Sequence, residues 1–277
     1  MIAISGTKGG TGKSTVAMGV TIWISKLREK PILLIDGDLH VRSVELKMCP
    51  VRDVTLADVL AGKKSWEDAV YACELESGGE SLYPKLAVLP AGGRFLPPMK
   101  AGSHLAYLDL TRRIFSRMIS GLRKKFDTII IDTPASISYE HLILIAVADR
   151  ILYVCEPNDD SIKATLATAQ GLMRLMEIEP AGVVLNRVPD SIDARPWLEK
   201  ASKIAPILGT VPDDDSVDDS FRDNLPVVAV YPDCPASLAL KEIAKKLLKI
   251  KLKPAELPKR LDLAIKKVAA RVEVERA

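Results

Sequence analysis

Apolar residues along the chain fall into two alternating kinds of run. Short continuous runs, such as Ile32-Leu33-Leu34-Ile35, are typical of strands that are buried on both faces of a sheet. Between them lie longer stretches such as Thr15–Leu27, in which apolar residues recur at helical spacing. This alternation predicts an α/β fold: a doubly wound, mostly parallel sheet with helices on both faces.

The predicted elements cover most of the first 250 residues. Strands are predicted at Ile2–Ser5, Pro31–Asp36, Lys85–Pro90, Thr128–Asp132, Arg150–Cys155, Gly182–Asn186 and Ile207–Val211, with an eighth at Val227–Tyr231. Helices are predicted at Thr15–Leu27, Thr55–Leu60, Trp66–Tyr71, Asp109–Phe126, Tyr139–Ala148, Ser161–Met176 and Ala236–Ile250. Ligands of such sheets bind at the carboxyl ends of strands, so the polar residues at those ends are candidates for a site.

A glycine-rich segment joins the first strand to the first helix and reads Ser-Gly-Thr-Lys-Gly-Gly-Thr-Gly-Lys-Ser-Thr over residues 5–15. Glycines allow the backbone to fold closely around phosphate groups, and a helix N-terminus favours an anion. Lys13 is expected to reach the β- and γ-phosphates of a nucleotide, and Ser14 to hold Mg²⁺. The predicted nucleotide-binding residues here are Gly9, Gly10, Thr11, Gly12, Lys13, Ser14 and Thr15.

Aspartates follow two of the predicted strands. Asp132 ends an apolar strand, which is the Walker B arrangement, and we expect its carboxylate to hold Mg²⁺ or one of its waters. Asp36 and Asp38 follow the second strand, where they could orient an attacking water or form an ordinary solvated turn. Ser14, Asp36 and Asp132 are the predicted metal group.

Asn186 ends the sixth predicted strand in Val-Leu-Asn-Arg-Val. Its amide carries both a donor and an acceptor, which matches the edge of adenine. In guanine-binding proteins an aspartate follows at the place occupied here by Pro189, so adenine is the expected base. An asparagine at this position is also compatible with an ordinary turn.

The pattern Lys8-Gly-Gly-Thr-Gly-Lys-Ser-Thr resembles the deviant Walker motif of the MinD/ParA family of dimeric ATPases, with Thr7 in place of the usual first glycine. Lys8 corresponds to that family's signature lysine. The resemblance implies that Asp36 positions or activates the attacking water and that Asp38 belongs to a first switch. Asp132, Thr133 and Pro134 resemble the second switch, although Ser136 stands where glycine is usual. Val211, Pro212 and Asp213 match a segment that lines the base pocket through its main chain.

The resemblance also implies a mechanism. ATP binding would close two subunits face to face, Lys8 of one would contact phosphates held by the other, and slow hydrolysis to ADP and phosphate would reopen the dimer. The expected function is a MinD-like ATPase switch for spatial positioning or cell division, with an unidentified activating protein partner. The alternative is a ParA-like ATPase that segregates chromosomes or plasmids and binds DNA non-specifically. The catalytic residues would be Lys8, Lys13 and Asp36.

Charge is distributed unevenly along the 277 residues, whose net charge is +3. Residues 249–277 carry nine basic and four acidic residues, a net charge of +5, which leaves −2 for residues 1–248. We therefore expect a P-loop ATPase domain at 1–248 and a basic linker with a C-terminal amphipathic helix at 249–277. The apolar face of that helix would comprise Leu257, Leu261, Ile265, Val268 and Val272. It could pack on its own domain, pair with another protein, lie on a membrane or contact DNA.

Two further observations narrow the function class. The four cysteines, at 49, 73, 155 and 234, form no Cys-x-x-Cys pair, so a metal-loading or iron–sulfur assembly function is not expected. No apolar run reaches the roughly 18 residues of a membrane span, and no signal segment is recognisable. We expect a cytoplasmic protein, with peripheral contact on the inner face of the cell membrane if the tail binds lipid.

Overall fold

The computed structural model describes residues 1–39, 41–49, 52–73, 75–77, 80–93, 104–135, 139–252 and 259–263. The strands are β1 Ile2–Ser5, β2 Ile32–Asp36, β3 Tyr71–Ala72, β4 Glu76–Ser77, β5 Glu80–Ser81, β6 Leu86–Leu89, β7 Thr128–Asp132, β8 Arg150–Cys155, β9 Pro180–Val188 and β10 Ile207–Pro212. The helices are α1 Lys13–Leu27, α2 Ser43–Met48, α3 Leu56–Leu60, α4 His104–Lys125, α5 Tyr139–Ala146, α6 Asp159–Met176, α7 Arg195–Ser202, α8 Asp215–Arg222, α9 Val227–Val230 and α10 Pro235–Leu247.

One sheet forms the centre of the molecule, with the strand order β10-β9-β8-β1-β7-β2-β6-β3. All neighbouring strands in it are parallel except β3, which runs antiparallel to β6 at the edge. β7 lies between β1 and β2, in a register that places Asp132 opposite both Ile4 and Asp36. The carboxyl ends of the three central strands therefore meet at one edge.

The core has two layers, one on each face of the sheet. In β2, Leu33 and Ile35 belong to the layer that contains α4, α5 and α6, whereas Ile32 and Leu34 belong to the layer that contains α1 and α10. Because both faces are covered, the strands need apolar residues at every position, which accounts for their continuous apolar runs. The predicted α/β fold with helices on both faces is confirmed.

Two predicted elements are wrong. Val227–Val230 forms the single helical turn α9 instead of an eighth strand, and Val227 and Val228 are buried in the layer that contains α1. A run of valines signals burial, but here the burial is against a helix instead of a neighbouring strand. The predicted helix Trp66–Tyr71 is a 3₁₀ turn, Glu67–Ala69, followed by β3.

Several elements were not predicted from the sequence: α2, α7, α8 and the short strands β3, β4 and β5. None exceeds eight residues, so each contains too few apolar positions to reveal a periodicity. Within the described part of the chain, no helix combines the length and apolarity that crossing a bilayer requires.

The described part of the C-terminal tail contacts the domain. Residues 259–263 are helical, and Leu261 is fully buried in the core layer of α4, α5 and α6. The guanidinium of Arg260 donates hydrogen bonds to the carbonyl oxygens of Ala148 (2.9 Å) and Glu177 (3.3 Å). Residues 253–258 and 264–277, which include most of the predicted amphipathic face, lie outside the described residues.

Candidate functional site

The glycine-rich segment forms a tight loop at the start of α1. Gly10 and Gly12 have φ angles of +81° and +85°, which side chains of other residues rarely tolerate. Gly12 is the residue before α1 and no side chain caps this helix end. The first N–H groups of α1, at Lys13, Ser14 and Thr15, therefore face the loop, where a phosphate group could accept their hydrogen bonds.

The two lysines of the loop have different environments. Lys13 is only 7% exposed, and its ammonium donates to the carbonyl oxygen of Lys8 (3.2 Å). Burial lowers the pKa of Lys13, and the carboxylates of Asp132 and Asp38 oppose that shift. The Lys8 side chain is 46% exposed, and its ammonium lies 3.6 Å from the exposed carboxylate of Asp160 on α6. Thus Lys13 belongs to the interior of the loop, whereas Lys8 reaches the surface.

Asp36 is completely buried and holds the backbone that follows β2. One of its carboxylate oxygens accepts from the N–H of Asp38 (3.1 Å) and the other from the N–H of Glu45 on α2 (2.9 Å). Burial, and then the neighbouring Asp132, raises the pKa of Asp36 well above its ordinary value. Asp38 accepts in turn from the N–H of Val41 (3.1 Å). The two aspartates therefore organise a turn that leads into α2.

Asp132 is 1% exposed, and neither of its carboxylate oxygens has a hydrogen-bond partner among the described residues. Burial raises its pKa to about 7, although Ser14 and Lys13 are close enough to oppose the rise. A buried carboxylate without partners beside a hydroxyl fits Mg²⁺, which uses one or two protein oxygens and completes its shell with phosphates and water. No cluster of three or more His, Cys, Asp or Glu suited to a metal occurs within the described chain.

The residues after β7 are joined to the loop. The Thr133 hydroxyl donates to the carbonyl oxygen of Ile4 (2.8 Å), and Pro134 is buried. The Asp132 carbonyl oxygen accepts from the N–H of Gly37 (2.9 Å), so the two predicted switch segments are in direct contact. Ser136 lies outside the described residues.

Asn186 also lies against the loop. It is 4% exposed, and its amide nitrogen donates to the carbonyl oxygen of Thr11 (2.8 Å). With the amide nitrogen bound to Thr11, the amide oxygen of Asn186 is the atom that could accept a hydrogen bond from a base. The base contact of Asn186 remains a prediction. Val211, Pro212 and Asp213 lie at the end of the adjacent strand β10, and the N–H of Asp213 donates to the Val188 carbonyl (3.0 Å). The structure therefore brings the predicted base and phosphate segments to one edge of the sheet.

Sequence reasoning missed three buried polar residues near this edge. Glu45 accepts from the N–H of Gly92 (2.7 Å) and so joins α2 to the loop after β6. His141 lies 3.2 Å from the Ser5 hydroxyl, and burial, with a smaller effect of Lys13, lowers its pKa to about 4. Lys47 is 7% exposed and stands over the ring of Phe221. Each is an isolated residue outside a recognisable motif, so no sequence signal marked it.

Comparison with known proteins gives consistent results. Residues 1–177 match the family model described as an AAA domain. The chain is 31% identical to an uncharacterized ATP-binding protein of Methanocaldococcus jannaschii, over 96% of the chain and 94% of that protein.

Solved structures of similar fold include two archaeal MinD proteins. The cell division ATPase MinD of Pyrococcus furiosus has a TM-score of 0.73 at 27% identity, covering 90% of this chain and 98% of that one. MinD of Pyrococcus horikoshii, solved in complex with Mg-ADP, has a TM-score of 0.73 at 24% identity, covering 90% of this chain and 95% of that one. The family-model match and the extended sequence identity, together with the phosphate loop and its two lysines, show that the chain belongs to the MinD/ParA family of P-loop ATPases.

Proposed function

We propose that this protein is a MinD-like ATPase switch. Binding of Mg-ATP closes two copies face to face, and slow hydrolysis to ADP and phosphate separates them, so that nucleotide state controls where an activating partner protein is recruited. Membership of the family supports ATP hydrolysis. The dimer and its cycle are supported by the placement of the loop lysines.

The observation that carries the proposal is the contrast between Lys13 and Lys8. Lys13 is already enclosed by its own loop, where a bound nucleotide's phosphates would lie. Lys8 extends from the same loop to the surface and is paired only weakly, since an ion pair of this exposure stabilises by about 0–1 kcal/mol. A triphosphate held by a second copy can therefore replace Asp160 as the partner of Lys8.

The remaining residues have complementary roles in this proposal. The loop from Gly9 to Thr15 binds the phosphates, and Ser14 and Asp132 hold Mg²⁺, which when bound stabilises charge on the phosphoryl oxygens. Asp36 orients the attacking water, because its two hydrogen bonds to backbone N–H groups fix its carboxylate. Each of those bonds uses one lone pair of a carboxylate oxygen, so each oxygen keeps a lone pair with which to accept from the water, and Asp36 also remains a candidate for the metal group. Asn186 and 211–213 surround the base.

Light scattering after size-exclusion chromatography tests this function. With saturating ATP and Mg²⁺, Asp36→Ala should elute as a stable dimer that contains uncleaved ATP, because the water is no longer positioned. Lys8→Ala should bind ATP and remain a monomer, whereas Lys203→Ala, at an exposed lysine after α7, should behave as the wild type. A monomeric Asp36→Ala protein with bound ATP would rule out the sandwich dimer.

A basic stripe on α4 favours a second candidate, the ParA-like ATPase. Arg113, Arg117 and Lys124 are exposed and share one face of the helix, and no acidic residue occurs between positions 113 and 125. Such a stripe can follow DNA phosphates. ATP-loaded protein should then retain plasmid on a filter, and this retention should fall steeply between about 50 and about 200 mM salt. Unchanged retention by Arg117→Glu would remove this stripe as the DNA contact.

A further inference from the structure

A small cleft lies beside the phosphate loop, between α1, α2 and the segment that contains α8 and α9. Its lining includes Thr15 and Met18 of α1, Lys47 of α2, and Phe221 and Pro226. Thr15 directly follows Ser14 of the loop, and α8 begins two residues after Asp213. The cleft therefore adjoins Thr15 at the end of the phosphate loop and the helix that follows the predicted base-lining segment, the two parts between which the ribose of a nucleotide in the proposed site would lie.

The side chain of Lys47 lies largely buried in this cleft, and no anionic side chain pairs with it among the described residues. It is exposed to the same 7% as Lys13, and within the described chain its ammonium forms no ion pair or hydrogen bond. The ammonium nitrogen lies 4.2 Å from the centre of the Phe221 ring. Burial lowers the pKa of Lys47, which reflects the cost of keeping the charge out of water. The neighbouring side chains are mostly apolar, so a methionine would fill the same space without that cost.

We propose that Lys47 is a phosphate-binding residue: its ammonium pairs with the phosphate nearest the ribose of the nucleotide bound to the same chain. The inference rests on the proposed nucleotide site and extends it by a residue of α2. The anion would supply a partner of opposite charge, which no described side chain provides.

The position of α2 gives this contact a consequence. Two residues before Lys47, the N–H of Glu45 donates to the carboxylate of Asp36. The adjacent carbonyl oxygen of Leu46 accepts from the side chain of Asn224, which precedes α9 (3.0 Å). An ion pair between a phosphate and Lys47 would therefore help to hold α2, the helix whose Glu45 N–H binds the Asp36 carboxylate. Binding of a nucleotide would therefore affect the position of Asp36 through α2, and ADP, which has no γ-phosphate, would have this effect too.

Competition binding tests the proposal. ADP, AMP and adenosine would each displace a fluorescent ADP analogue from wild type, Lys47→Met, Lys47→Arg and the control Lys26→Met. Lys26 is a suitable control because it also stands over an aromatic ring, that of Trp23 (5.0 Å), at the opposite end of α1. Loss of a charge-assisted contact should weaken ADP and AMP about tenfold or more in Lys47→Met, with adenosine changed less than about twofold. Lys47→Arg should retain most of the affinity, and Lys26→Met should match the wild type.

Two further readouts exclude a purely structural role. Without nucleotide, Lys47→Met should have a higher Tm than the wild type, because it removes a partly desolvated charge from a mostly apolar cleft. The phosphorus NMR resonance of the α-phosphate of bound ADP should shift between wild type and Lys47→Met, while that of the β-phosphate stays in place. Unchanged ADP and AMP affinity, an equal loss for adenosine, or a lower Tm would each overturn the proposal. Failure of the wild type to bind ADP at all would overturn the proposed nucleotide site itself.

Discussion

At the scale of single residues, the loop depends on a contact between Gly12 and Asn186. Gly12 has a φ of +85°, and a Cβ at this position would overlap the side-chain nitrogen of Asn186. That nitrogen holds the carbonyl of Thr11. Backbone conformation and packing therefore both require glycine here, before any ligand is bound.

Gly12→Ala should destabilise the nucleotide-free protein. We expect a loss of about 1–3 kcal/mol of unfolding free energy, because the variant combines a left-handed backbone with a steric conflict. Gly9→Ala is the matched control in the same loop, since a Cβ there meets no atom within 4 Å. Urea denaturation without nucleotide measures both. Equal stability of the two variants would show that the loop relaxes around the Asn186 side chain.

The buried carboxylate of Asp132 makes stability depend on pH. Its pKa is about 7 in the folded protein and near 3.8 when unfolded, so the folded protein binds more protons between these values. Stability should therefore fall as the pH rises from about 4 to about 7. Asp132→Asn should be about 4 kcal/mol more stable than the wild type at pH 8 without Mg²⁺ or nucleotide, and the difference should vanish below about pH 4.

Denaturation at several pH values provides the measurement, with Asp190→Asn, at an exposed loop position, as the control. A constant difference between Asp132→Asn and the wild type across the pH range would mean that Asp132 is ionised throughout. The orphaned carboxylate would then have to be stabilised in a way that the described contacts do not include.

At the scale of elements, the C-terminal tail packs against the domain through its described residues. The helical residues 259–263 contact the domain where α5 and α6 end, through the buried Leu261 and the two hydrogen bonds of Arg260. The tail thus uses at least one position of its apolar face within the protein. The expected boundary at residue 248 remains a prediction.

Leu261→Ala tests whether the tail and domain unfold together. A fully buried leucine typically contributes about 2–4 kcal/mol more than alanine, so Tm should fall by several degrees. Leu238→Ala on α10 is the control, since that leucine is 44% exposed. If both variants melt at the wild-type temperature, the tail is separable from the core.

At the scale of the whole molecule, charge is concentrated in the tail. Without residues 249–277 the net charge changes from +3 to −2. Attraction to an anionic surface would therefore depend on a segment that lies outside the ATP site.

Deletion of residues 249–277 should abolish binding to anionic vesicles and should leave ATPase activity at temperatures below the reduced Tm that the loss of the buried Leu261 causes. The physical reason is that about 1 kcal/mol of attraction per lysine or arginine near the surface is lost with the tail. Cosedimentation with vesicles and a phosphate-release assay measure the two properties. Vesicle binding that persists in the truncated protein would exclude the tail as a membrane contact.

Much of this architecture could be predicted from short segments of the sequence. Strands buried on both faces require continuous apolar runs, so β1, β2, β7 and β8 were predicted to within a residue. The phosphate loop is contiguous, and its glycines, lysines and hydroxyls are needed at fixed spacing. The strand-end aspartates followed from the same pattern, since parallel strands place their carboxyl ends together.

Only the tertiary structure decided which residues meet across long separations. Thr11 and Asn186 are 175 positions apart, and nothing in either segment specifies their hydrogen bond. The valines of α9 signalled burial, but an apolar run does not state whether a helix or a strand will cover it. The burial of the Lys47 side chain could not be predicted from the sequence either, because it results from elements distant in the chain that pack against it. Local sequence sets each element's tendency and exposed chemistry, whereas packing between distant elements determines partners, solvent access and therefore charge state.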